Sequence, residues 1–98
     1  MVNRFARQTG TPDANQPEIV AALEKVGAKV YDIDKPVDLL VEFRSIWIVL
    51  EVKTKKGKLE KSQERFFEKV KAPSFIVRDG EEAVAAVVTA WKRSWEQI

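Results

Sequence analysis

Two stretches of β character, Val37–Phe43 and Ile46–Lys53, separated only by Arg44-Ser45, restrict this chain more than any other feature. Successive strand residues point to opposite faces of a sheet. Val37, Leu39, Val41 and Phe43 therefore share a face with Ile46, Ile48, Leu50 and Val52, and every one is apolar. That face belongs in a core. The other carries Asp38, Leu40 and Glu42 from the first strand and Trp47, Val49, Glu51 and Lys53 from the second. A two-residue loop pairs Phe43 with Ile46 and sets Asp38 opposite Glu51, with Cβ atoms roughly 4.5–5.5 Å apart. Arg-Ser is not a preferred sequence for such a turn. A four-residue loop would keep the register and a three-residue loop would slip it by one, but the faces of the second strand survive either way.

The remaining elements follow from shorter signals. Residues 1–14 are polar, include Gly10 and Pro12, and read as a flexible N-terminal arm preceding a single domain over 15–98. Asn15 reads as a helix N-cap, with Pro17 in the first turn and Glu18 as the acidic end of a capping box. Ile19, Ala22, Leu23 and Val26 recur at helical spacing, and Gly27 ends the helix. Lys29 to Ile33 is a strand candidate. Leu59–Val70 forms an amphipathic helix stopped by Pro73, Ser74–Arg78 a strand, and Glu81 to about Trp95 a last helix. The order α-β-β-β-α-β-α predicts an α/β fold, a mixed sheet flanked by helices.

Two opposed carboxylates repel each other, and the pairing becomes favourable when a divalent cation lies between them. Lys53, two residues past Glu51, shares its face, where an ammonium can polarise a water and neutralise a phosphate. The Val52 carbonyl is a reasonable further ligand. Composition narrows the chemistry. The 98 residues contain no histidine and no cysteine, which excludes histidine-based triads, imidazole or thiolate zinc sites and disulfides. Metal ligands Asp38, Glu51 and Val52 would all be oxygen, which suits Mg²⁺ or Mn²⁺. The formal charge is only +2. Lys53, Lys55, Lys56 and Lys58, however, follow one another without an intervening acid, and Lys61 lies just beyond. The Lys55, Lys56, Lys58 cluster could be a solvated turn; beside a phosphate-cleaving site, Lys55, Lys56, Lys58 and Lys61 are candidates to hold a DNA backbone.

The succession Val37-Asp38, Glu51-Val52-Lys53, Gly57-Lys58-Leu59 and Gln63 resembles the PD-(D/E)XK nuclease superfamily, and within it the VRR-NUC branch of small stand-alone phage and bacterial proteins. The resemblance covers about residues 16–78 and departs at the leading proline, since Pro36-Val37-Asp38 stands where the pattern has Pro-Asp. It implies a restriction-endonuclease-like fold and a metal-dependent DNA endonuclease. Asp38 and Glu51 would bind metal, Lys53 would assist the attacking water, Gln63 would support the site, and Glu18 would complete the metal shell. It further implies a homodimer acting on branched DNA, in the manner of a four-way (Holliday) junction resolvase in repair and recombination.

Plainer readings stand beside these. Glu-x-Lys on a strand is usually a solvated ion pair of little energetic weight. Glu18 also serves as a helix cap, and Gln63 as an ordinary polar helix residue. Trp47 reads more readily as core than as a stacking platform. Trp91 and Trp95 read as core or a subunit contact, and Asp32 or Asp34 could replace Asp38. A monomeric flap or end-directed nuclease, a catalytically silent DNA-binding module and a transcription or packaging accessory are the alternatives in function. No apolar run is long enough to cross a bilayer, and the start lacks an apolar signal region, so a cytoplasmic location is expected.

Overall fold

The computed structural model describes residues 13–96; the expected arm at 1–14 lies almost wholly outside them. Seven elements follow the expected order: α1 (Gln16–Lys25), β1 (Lys29–Asp32), β2 (Leu39–Phe43), β3 (Ile46–Val52), α2 (Lys61–Lys69), β4 (Ser74–Val77) and α3 (Gly80–Glu96). The strands form one mixed sheet in the order β1-β2-β3-β4. β1, β2 and β3 are antiparallel neighbours, and β4 adds to β3 in parallel after the α2 crossover.

The register is the one a two-residue loop requires, running from Phe43↔Ile46 to Leu39↔Leu50. Arg44 and Ser45 both adopt positive φ, 50° and 74°, the signature of a type I′ turn. Left-handed backbone costs about 1–2 kcal/mol at a residue with a side chain. Local contacts offset that strain. Glu42 Oε2 accepts the Ser45 N–H at 2.9 Å, and the Arg44 guanidinium lies over the rings of Trp91 and Phe43, 4.5 and 5.4 Å from their centroids.

α1 ends through Gly27 at φ 91°. The N–H of Gly27 donates to Glu24 O and that of Ala28 to Leu23 O, the two bonds of a Schellman motif. α1 and α3 cover one face of the sheet. There Ile19 and Leu23 from α1, and Ala83, Ala86, Val87 and Ala90 from α3, close over Val30, Leu39, Val41, Phe43, Ile48, Leu50, Val52 and Val77. Burying each large aliphatic side chain is worth about 1.5–3 kcal/mol, so this face holds the fold together. α1 and α3 approach closely at Gly80, where an added Cβ would come within 2.8 Å of Ala22 Cβ.

The opposite face is only partly covered. α2, reached through Gly57 and Leu59, buries none of its own residues fully. Phe66 and Phe67 meet edge to face, 5.6 Å apart. Among the described residues no helix is long and apolar enough to cross a membrane.

The structure shifts some expected boundaries. Val37 and Asp38 precede β2, in a segment where the Ile33 and Asp34 N–H groups both donate to Asp38 O. α2 starts at Lys61 rather than Leu59, and α3 at Gly80 rather than Glu81.

Candidate active site

Glu51 is the strand residue whose surroundings are hardest to explain by folding alone. It is 2% exposed, on the face away from the main core. A buried carboxylate needs partners to offset its lost hydration, and here it has several. Its Oε1 accepts the Asp38 N–H at 3.2 Å. Its Oε2 accepts Gln63 Nε2 at 2.7 Å and pairs with Lys53 Nζ at 3.1 Å.

Asp38 answers from the neighbouring segment. Its Oδ2 accepts the Val52 N–H at 2.9 Å. The two acids are thus interlaced, each carboxylate bonded to the main chain on the other's side of the ladder. Lys53 is 15% exposed at its side chain, so its ammonium sits at the rim of the pair. Gln63 uses both ends of its amide. Oε1 accepts the Glu60 N–H at 3.0 Å and so fixes the first turn of α2, while Nε2 holds Glu51.

Asp38, Glu51, Lys53 and Gln63 therefore converge, and Val52 meets them through its N–H, the donor to Asp38 Oδ2, whereas its carbonyl is the group expected as a ligand. Glu18 does not join them. It is exposed on α1 and turned toward the start of α3, its Cγ 3.9 Å from a Cβ built at Gly80. α1 packs on the other face of the sheet through Ile19 and Leu23, which carries Glu18 away from the pair. Its expected place in a capping box is not realised either, since Asn15 makes no side-chain cap. Among the described residues no three acidic, histidine or cysteine side chains gather around one point. The donor set is thus two carboxylates. Mg²⁺ is commonly held by one or two carboxylates, with waters and substrate phosphates completing its shell, so Asp38 and Glu51 fit Mg²⁺ or Mn²⁺.

Asp32, the alternative aspartate, points to the core face. It is 6% exposed and accepts Gln16 Nε2 at 3.1 Å. Asp34 lies in the turn before Asp38 at φ 68°.

Two residues that sequence reasoning missed shape the end of the site. Asn15 Nδ2 donates to Lys53 O at 3.0 Å and to Arg78 O at 2.7 Å. It ties the exits of β3 and β4 to the start of α1. Both neighbours are carbonyl acceptors, so the amide nitrogen must face them. Arg78 extends that tie. Its Nη1 donates to the carbonyls of Thr54 and Gly57, across a turn closed by the Gly57 N–H to Thr54 O. The exposed lysines Lys55 and Lys56 project from this held turn, with Lys58 and Lys61 just beyond. Nothing local in the sequence marks Asn15 or Arg78 for these roles, because their partners are 21 to 63 residues away.

Comparison of this chain with known protein families, with curated proteins and with solved structures finds no match.

Proposed function

We propose that this protein is a Mg²⁺- or Mn²⁺-dependent DNA phosphodiesterase of the PD-(D/E)XK type, similar to the VRR-NUC branch, with Asp38, Glu51 and Lys53 as its catalytic centre. The observation that carries the reading is the buried Glu51. A carboxylate interlaced with Asp38 and bonded to Lys53 and Gln63 is an expensive arrangement for a small domain. It gains a purpose when a cation and a phosphate complete the charge balance.

In this reading Asp38 and Glu51 would hold the divalent cation, which would supply an acidified water and charge neutralisation at the phosphate. The chain's own residues do the rest. Glu51 is oriented by Gln63 and the Asp38 N–H, so the acceptor geometry is preset before substrate arrives. Lys53 donates a hydrogen bond that holds the attacking water in line with the scissile bond. The water oxygen forms a bond to phosphorus and gives up a proton to solvent, while the P–O3′ bond breaks and the 3′ oxygen takes a proton back from solvent and leaves as a hydroxyl. The lysines of the turn held by Arg78 supply sequence-independent contacts to the backbone.

The favoured substrate is branched DNA cut by a dimer. Two sites related by a two-fold axis suit two symmetric cuts. The test is cleavage of a labelled four-way junction, a flap and a plain duplex with Mg²⁺, Mn²⁺ or EDTA, together with the protein's mass by light scattering. Metal-dependent cutting of the junction by a dimer supports the whole proposal. Cutting of the flap alone by a monomer keeps the chemistry and replaces the substrate. Binding without cutting under every condition would leave a DNA-binding module.

A further inference from the structure

The half-covered face of the sheet carries a second feature. Trp47, at the start of β3, is 51% exposed on the same face as Glu51. A side chain of that size is normally buried in a small domain. Tyr31 leans beside it, ring centroids 6.0 Å apart and planes at 42°. Trp47 lines a cleft of about 620 Å³ at the end of the sheet, bounded by the Lys71–Phe75 segment and by the end of α3, which reaches round from the opposite face. Among the described residues, the cleft's charged side chains are Lys71 and Arg93, and no acid lines it. Glu42 stands across the ladder from Trp47, but its Oε2 is engaged by the Ser45 N–H.

An exposed indole beside two cations has the chemistry of a nucleotide subsite. Bases stack on aromatic rings whatever their sequence, and the cations take the phosphate. Position supports the same ligand. Trp47 and Glu51 are four residues apart on one strand, which places them about 13 Å from each other. The lysine turn leaves the far end of β3, so the lysine turn, Glu51 and Trp47 lie in one line along the face.

We propose that Trp47, with Lys71 and Arg93, binds an unstacked base of single-stranded DNA and its phosphate, about 13 Å from the scissile bond. The choice of DNA as ligand rests on the phosphodiesterase reading above. The site would make the enzyme prefer substrates in which a strand has left the duplex.

Binding in EDTA separates this inference from cleavage. Wild type, Trp47→Ala, Trp47→Phe and the double variant Lys71→Ala/Arg93→Ala are titrated with a thymidine oligonucleotide, with a flap and with a plain duplex. Because Trp47 is exposed, these variants keep the fold, which circular dichroism verifies. Trp47→Ala is expected to bind the oligonucleotide and the flap about 10-fold more weakly, with duplex binding unchanged. Trp47→Phe retains part of the affinity but loses the fluorescence quench of wild type. The double variant lowers the log–log salt slope by about 1.4, two contacts at about 0.7 each. Unchanged single-strand affinity in Trp47→Ala would overturn the subsite even if the enzyme cleaves DNA. A Trp47→Ala protein that merely changes from dimer to monomer would also overturn it, and would assign the face to a subunit contact. Trp47-dependent strand binding by a protein that never cuts would uphold the subsite while removing the catalytic reading.

Discussion

Replacing Asn15 by aspartate separates two roles that the sequence alone cannot distinguish. As a helix N-cap, Asn and Asp are nearly equivalent, and Asp gains about 0.3–1 kcal/mol from the helix dipole. The cap reading therefore predicts Asn15→Asp to be neutral or slightly stabilising. The structure predicts the opposite, because the Asn15 amide donates to Lys53 O and Arg78 O at 3.0 and 2.7 Å. A carboxylate has the same shape and nothing to donate. Two bonds are lost at roughly 1 kcal/mol each. The new negative charge then faces two carbonyl oxygens, adding roughly another 1 kcal/mol, and the dipole returns a fraction. The net loss is about 2–3 kcal/mol, which for a domain of this size lowers Tm by roughly 10 °C or more. Urea unfolding followed by circular dichroism reads it as a lower midpoint at unchanged m. An Asn15→Asp protein as stable as wild type, beside an Asn15→Ala protein weakened by about 1 kcal/mol, would refute the tether and restore the cap.

Further expectations follow from the same contacts. Gly80→Ala should destabilise by about 1–3 kcal/mol despite alanine's better helix propensity, because its Cβ meets Ala22 at 2.8 Å. Thermal melts of Gly80→Ala and of Gly80→Ala/Ala22→Gly check this, the second change restoring most of the loss. Gln63→Ala should release α2, which buries no residue fully and is held to the sheet by the bond to Glu51. Hydrogen exchange over residues 61–69 should speed up while the protection of β3 stays within a few-fold of wild type. Lys53→Met should leave the buried Glu51 short of a partner and weaken folding by about 1–3 kcal/mol in a denaturant melt. Glu51→Gln/Lys53→Met should recover part of that loss.

The elements and the register were legible because they depend on local pattern. Alternation over Val37–Val52 assigns every core position of β2 and β3. It also brings Asp38 to Glu51, although Arg44-Ser45 is a poor turn sequence. The turn forms anyway because Glu42 and the Trp91 ring stabilise its two residues from outside. What could not be read depends on chain segments far apart in sequence. Glu18 falls away from the site because α1 docks on the opposite face. Asn15 leaves its cap for two strand-end carbonyls. Arg78 shapes the lysine turn from the exit of β4. Trp47 is exposed because the face it shares with Glu51 is only partly covered, α2 burying none of its own residues there. Trp91 packs partly against the core while Trp95 stays exposed, so the core role expected of the pair holds for Trp91 alone.

The most direct test of the central claim is the single-turnover cleavage rate of a labelled four-way junction with Mg²⁺, for wild type and for a Lys53→Ala protein shown to be folded. Wild type should cut in a manner that EDTA abolishes, and the variant should be at least 100-fold slower, on the scale of losing one transition-state donor. Equal rates in the two proteins, or cutting that survives EDTA, would contradict that claim.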